Sequence, residues 1–239
     1  MEKFIKAENF NDPLKSQKGQ VRFLLEIVFN YKFNGLKRNG YFVDLAAGQP
    51  IELSNTYFIE KYLNWEGLLI DGNPLFAKKL RAERKNKVLE EIVYSENNKE
   101  VKFRIDNGEL GGIIGDEFDN NKKFRSDELA NAKIITVKTK TLNQILIENN
   151  APKEMDYLSL DIEGGEYEAL KNFDFKQYKW KFLTIERPNL ELDLLLDKNG
   201  YIQVFHSSFD TFYIHKDFIR FADIAYIKPQ FLITPRKNW

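Results

Sequence analysis

The run Phe42-Val43-Asp44-Leu45-Ala46-Ala47-Gly48-Gln49-Pro50 constrains this chain more than any other stretch. A short apolar segment ends in an acid. Small residues, one glycine and a proline follow, and Ser54-Asn55-Thr56 then offers a helix start. That order predicts strand, tight loop and helix, the arrangement by which α/β proteins present a nucleotide-like ligand at the carboxyl end of a central strand. The pattern recurs where Leu68-Leu69-Ile70-Asp71, Leu158-Ser159-Leu160-Asp161 and the segment 180–186 each end an apolar run in an acid. In a parallel sheet Asp44, Asp71, Asp161 and Glu186 share one edge, and ligands bind along that edge. A single strand-end acid can equally well solvate the edge or cap a helix. Four in this order favour a site.

The segments between these strands support an alternating fold. Phe23, Leu24, Ile27, Val28 and Tyr31 recur at helical spacing, predicting an amphipathic helix over 21–31. Strands are predicted at 41–45, 68–71 and 88–94, with helices at 54–63 and 75–84 between them. This βαβαβ order predicts a parallel sheet with right-handed crossovers. The basic run 78–85 reads as a solvated helix face. Further strands are predicted at 101–105, 134–140, 156–161 and 180–186. Further helices are predicted at 142–148 (capped by Thr141), 167–172 and 190–197. A terminal hairpin pairs 201–206 with 211–214, its Phe205, Phe209, Phe212 and Tyr213 serving as packing. His206 reads as structural and His215 as a surface residue. Residues 106–133 hold four glycines and many charges with little periodicity, which marks an insert and candidate lid. With residues 1–14 as a flexible N-terminus and no repeat or linker, one domain over 1–239 is expected.

Composition narrows the function. The 36 basic and 36 acidic residues cancel, leaving no electrostatic case for nucleic acid or an anionic membrane. The absence of cysteine excludes disulfides, zinc thiolates and cysteine nucleophiles, and two histidines are too few for a multi-histidine metal site. No run approaches the ~20 apolar residues of a spanning helix, and no apolar signal core follows Met1. A cytoplasmic protein is expected, with no nucleic acid and no membrane as partner.

The loop chemistry separates nucleotide ligands. A dinucleotide fold wants three glycines so that the pyrophosphate reaches a helix N-terminus. Here only Gly48 remains, and no P-loop lysine is present. The acid before the loop repels a pyrophosphate but suits a cation. S-adenosylmethionine carries an ammonium, a sulfonium and ribose hydroxyls that Asp71 can bind, so the loop favours it over NAD.

The sequence resembles the FkbM family of S-adenosylmethionine-dependent methyltransferases. The resemblance is carried by Phe42–Ala47, Leu53–Lys61 and Asn64–Pro74 as one block, and by Ser16-Gln17-Lys18-Gly19-Gln20 before it. It is also carried by Met155–Glu166, which contains Asp161-Ile162-Glu163-Gly164-Gly165-Glu166, and by Leu183-Thr184-Ile185-Glu186. It spans roughly 16–215. It implies a class I methyltransferase fold, a mostly parallel seven-strand sheet with helices on both faces and a C-terminal antiparallel hairpin. It also implies methyl transfer to a hydroxyl of a sugar or small secondary metabolite. Asp44, Ala46 and Gly48 would cradle the amino-acid part of the cofactor. Asp71 would hold the ribose with Asn73 nearby, Tyr94 and Ser95 the adenine edge, and Gln17 and Ser54 the carboxylate. Asp161, Glu163 or Glu186 would supply a base or together hold one Mg²⁺; alternatively they shape the turn.

The chain departs from the family pattern at Ala46 and Pro50, where many members have glycine, and at Arg187, where histidine often stands. Two alternatives remain beside this reading: a non-catalytic module that binds the nucleotide or S-adenosylmethionine, and a nicotinamide-dependent oxidoreductase on a related fold.

Overall fold

The computed structural model describes Ser16, residues 19–29 and residues 35–219; the expected flexible N-terminus lies outside them. Helix α1 (Gln20–Phe23) runs on as a π-helical turn over Leu24–Val28, a wider winding than the α-helix expected over 21–31. Strand β1 (Tyr41–Leu45) leads into the loop and then α2 (Tyr57–Leu63). Strand β2 (Glu66–Ile70), α3 (Pro74–Glu83) and β3 (Lys87–Leu89) follow. Next come β4 (Ile92–Val93), β5 (Glu100–Arg104), β6 (Gly112–Ile113), α4 (Lys122–Ala130) and β7 (Ile134–Lys140). The chain continues through α5 (Leu142–Glu148), β8 (Glu154–Leu160), α6 (Glu166–Leu170) and β9 (Lys179–Glu186). Helix α7 (Leu190–Lys198) and the strands β10 (Tyr201–His206) and β11 (Asp210–His215) complete it.

The main sheet has seven strands in the order β10-β11-β9-β8-β1-β2-β3. Strands β3, β2, β1, β8 and β9 are parallel, while β11 runs antiparallel to β9 and β10. Alternation along the central strands divides the core. Val43, Leu45, Leu158 and Leu183 pack on one face with α5, α6 and α7. Phe42, Leu69, Tyr157 and Phe182 pack on the other with α1, α2 and α3. Both faces are buried, as a parallel sheet requires. Among the described residues, no helix is long and apolar enough to cross a membrane.

The structure corrects five expectations. The strand expected over 88–94 is split. Strand β3 ends the main sheet and β4 joins a second, four-stranded sheet, β4-β7-β5-β6. Glu90 and Glu91 mark the break, pairing outward with Arg81 (3.1 Å) and Lys140 (2.7 Å). The insert 106–133 is not featureless, since it holds β6, α4 and a 3₁₀ turn at Gly108–Leu110. Helix α2 starts at Tyr57 rather than Ser54, because the Ser54 hydroxyl accepts the Tyr57 N–H (3.1 Å) from outside the helix. His215 is buried, not on the surface. Its ring packs edge-on against Tyr201 and its Nδ1 accepts the Asp217 N–H. Phe209 sits exposed between β10 and β11, while Phe212 and Tyr213 are core.

Arg84 departs furthest from expectation. Its neighbours Lys78, Lys79, Arg81 and Lys85 are exposed, as a solvated face should be, but the Arg84 side chain is fully buried. The guanidinium donates to Glu60 Oε2 (3.0 Å), the Pro50 carbonyl (3.2 Å), Ser54 Oγ (3.2 Å) and Thr56 Oγ1 (3.0 Å). It ties α2 and α3 to the loop after β1. Arg84→Met removes the cation but leaves Glu60 buried. It should lower unfolding free energy by about 3–5 kcal/mol, read from urea denaturation. A loss within experimental error would mean that the pair does not hold this corner.

Candidate active site

The four strand-end acids meet. Asp44, Asp71, Asp161 and Glu186 all line one cavity of about 260 Å³ at the carboxyl edge of β1, β2, β8 and β9. Ala46, Gly48, Asn73 and Glu163 line it too. Residues 108–113 of the insert form a further wall. Ser54, Tyr94 and Ser95 are not brought to it. Ser54 is buried behind the loop, bonded to Arg84. Tyr94 packs against Phe118 and accepts from Lys99 Nζ (2.9 Å). Ser95 donates to Glu168 (2.8 Å). Gln17 lies outside the described residues, but Ser16 pairs with Leu53 in an isolated bridge and so lies beside the loop.

The loop is a backbone device. The Ile70 carbonyl accepts from both Ala46 N–H (2.8 Å) and Ala47 N–H (3.2 Å). These bonds hold Ala46 at φ 59°, a left-handed conformation that favours glycine. The Gly48 N–H donates to Asp71 Oδ2 and the Asn73 N–H to Asp71 Oδ1, both at 2.8 Å. Asp71 thus staples the loop to the start of α3, where Asn73 is the N-cap and accepts the Leu75 N–H. Pro50 is buried and stands outside the cavity lining. Its carbonyl faces Arg84. Asp44 accepts from Thr56 Oγ1 (2.6 Å), which itself accepts from Arg84. Burial raises the carboxyls of Asp44 and Asp71 to about 6 each.

The other end of the cavity is built on the turn after β8. Glu163 (φ 58°) and Gly164 (φ 90°) are successive left-handed residues. A Cβ on Gly164 would meet the Asp119 backbone nitrogen at 3.0 Å. Glu166 shapes this turn, accepting from the Ile162 N–H (2.9 Å) and the Gly164 N–H (3.3 Å). Burial raises its carboxyl to about 7. Asp161, Glu163 and Glu186 each offer an oxygen within 4.8 Å of the others. Burial and the neighbouring Glu186 raise Asp161 well above the usual carboxylate range. The same two causes raise Glu163 to about 8. Arg187 Nη2 lies 2.9 Å from Glu186 Oε2 and 3.6 Å from Glu163 Oε2, and also pairs with Asp119 of the insert.

Compared with known families, residues 43–203 match the Methyltransferase FkbM domain. The chain belongs to this family. No curated protein and no solved structure matches it. This FkbM chain is therefore a methyltransferase, and the cavity joins segments within the matched range: the end of β1 with its loop, β2, the turn after β8 and the end of β9.

Several cavity residues escaped sequence reading. Asn55 and Ser159 line the cavity and bond to each other (3.1 Å), and Phe76 and Phe103 supply apolar walls. Arg187 signalled only a missing histidine; its pair with Asp119 needs the insert, which no local pattern places. The oxygen donors of Asp161, Glu163 and Glu186 suit a hard cation. Arg187 already sits on two of these three groups, so the residues as arranged do not fit the expected Mg²⁺, and no step is routed through it.

Two outcomes follow. Ala46→Gly should stabilise the FkbM chain by about 0.5–1 kcal/mol, because relief of a left-handed alanine outweighs glycine's entropy. A drop in melting temperature would show the loop is not strained there. Glu163 holds its proton more tightly folded than unfolded. Its contribution is therefore complete below its ordinary 4.5 and lost as pH rises through about 8. Glu163→Gln keeps a neutral side chain throughout, so its stability relative to wild type should climb across that window in chemical denaturation. A pH-independent difference would refute the raised carboxyl.

Proposed function

We propose that this methyltransferase takes its methyl group from S-adenosylmethionine and passes it to a hydroxyl oxygen of a sugar or small secondary metabolite. The observation that carries the donor is the loop end of the cavity. Two carboxylates, Asp44 and Asp71, face it, and a Cβ on Gly48 would meet nothing closer than 3.8 Å, so a ligand can approach the backbone. Among the described residues, the lining offers no lysine, arginine or histidine for a pyrophosphate. These residues fit a cationic amino-acid moiety and disfavour NAD. The strand order agrees with a class I methyltransferase sheet.

Bound there, S-adenosylmethionine supplies a methyl on a sulfonium, whose carbon–sulfur bond breaks with its electron pair going to sulfur. The chain contributes position and a proton acceptor. Asp44, fixed by Thr56, and the loop at Ala46 and Gly48 would hold the amino-acid part. Asp71 keeps lone pairs for ribose hydroxyls beside the two it gives to backbone N–H groups. Asp161 would accept the acceptor's hydroxyl proton as the oxygen takes the methyl. Asp161 lines the cavity with an oxygen within 4.8 Å of Glu163 and Glu186, where an acceptor hydroxyl would meet it. Glu186 is paired with Arg187, while among the described residues Asp161 has no basic partner. A small acceptor, without nucleic acid or membrane and in a cytoplasmic setting, belongs to the same proposal.

Calorimetry with S-adenosylmethionine tests the donor, and binding of NAD in its place would reverse the reading. Asp161→Asn should cut turnover about a hundredfold or more while leaving S-adenosylmethionine affinity unchanged. Unchanged turnover in a methyl-transfer assay would remove Asp161 from the chemistry.

A further inference from the structure

We propose that the acceptor carries a basic amino group, held as an ammonium by Glu163 and Glu186, and that anionic acceptors are turned away. This rests on the methyltransferase reading above and names the substrate class it left open: an amino sugar or a related amino alcohol.

The cavity's charge is one-sided. Beside the four strand-end acids, Glu91, Glu109 and Glu163 line it, and among the described residues no basic side chain does. Part of this charge is answered from behind. Lys140 pairs with Glu91. Arg84 and Thr56 serve Asp44, and two backbone N–H groups serve Asp71. Those last two acids also face the end assigned to the cationic donor. At the other end, the one basic partner among the described residues for Asp161, Glu163, Glu186 and the nearby Asp119 is Arg187. A phosphate or carboxylate on the acceptor would meet this excess of acidic groups.

A second observation is independent of the charge. Glu163 is 6% exposed, and its Oε2 receives no hydrogen bond. A buried carboxylate oxygen without a donor is costly, and such groups point to a missing partner. Arg187 shows what kind of partner the place attracts. Its Nη2 donates to Glu186 at 2.9 Å but stops 3.6 Å from Glu163 Oε2, beyond hydrogen-bond reach. An alkylammonium has three N–H donors and can bridge Glu163 and Glu186 without moving Arg187. A divalent metal held by all three carboxylates would have to displace the Arg187 guanidinium from Glu186. The structure therefore favours a nitrogen cation, and Asp161 stays free to take the hydroxyl proton.

The test uses the full chain and three sugars matched but for one group: glucosamine, glucose and glucose 6-phosphate. Each is titrated by calorimetry into protein saturated with S-adenosylhomocysteine and into protein without it. Glucosamine should bind at least about tenfold more tightly than glucose, and glucose 6-phosphate should not bind. Glu163→Gln and, separately, Glu186→Gln should lose most of that preference while keeping S-adenosylhomocysteine affinity. The surface change Glu191→Gln should leave the preference intact. Equal binding of glucose and glucosamine, no binding of glucosamine, or a preference that survives both site variants overturns the proposal. So does glucose binding that appears only with added MgCl₂, which would make the acids a metal site. Failure to bind S-adenosylhomocysteine counts against the donor instead, and the amine preference is still read from the titrations without it.

Discussion

A buried guanidinium underlies the loop on which the site depends. Arg84 closes α3, and its donors satisfy Glu60 on α2, the Pro50 carbonyl, Ser54 and Thr56. Thr56 passes the constraint on, donating to Asp44 at the end of β1. One cation thus sets the spacing of two helices, the path of the loop and the orientation of a cavity carboxylate. Burying such a pair gains little net stability, because desolvation offsets attraction. Its value lies in geometry: four acceptors of different origin can be met together only if the loop takes one path.

The cavity is the reverse case, a cluster of acids left under-compensated. Burial raises Asp44, Asp71, Asp161 and Glu163, and neighbouring acids add repulsion at each. Repulsion of this kind is stable only where the scaffold enforces it. Here the parallel sheet does so by ending β1, β2, β8 and β9 at one edge, and the turn at Glu163-Gly164 does so by its left-handed backbone.

What sequence made visible was what local pattern encodes. Apolar runs ending in Asp44, Asp71, Asp161 and Glu186 announced strands and an edge, and the sheet brings all four to one cavity. Thr141 and the helix after it were readable for the same reason, since a cap bonds within its own turn. Arg84 was not, because its spacing on α3 matches its solvated neighbours and its partners lie on other elements. The split between β3 and β4 was hidden too: Glu90 and Glu91 interrupt the apolar run by only two residues, and it is pairing to different sheets that separates the strands. Glu91 and Glu109, which line the cavity, and Arg187, which pairs with the acids beside it, belong to the same class, residues defined by contacts across the fold.

The two departures from the family pattern in the first loop now separate physically. Pro50 lies behind the loop with its carbonyl on Arg84, where a fixed φ and a missing N–H harm nothing facing the cavity. Ala46 does face the cavity, at a left-handed φ that an alanine adopts at about 1–2 kcal/mol. Two N–H groups converging on the Ile70 carbonyl and the Gly48–Asp71 bond hold it there. The backbone path glycine would take is thus kept by neighbouring bonds, and the methyl adds only a small surface to the cavity wall. The loop is strained rather than blocked, so the cavity space beside it is kept at some expense of stability.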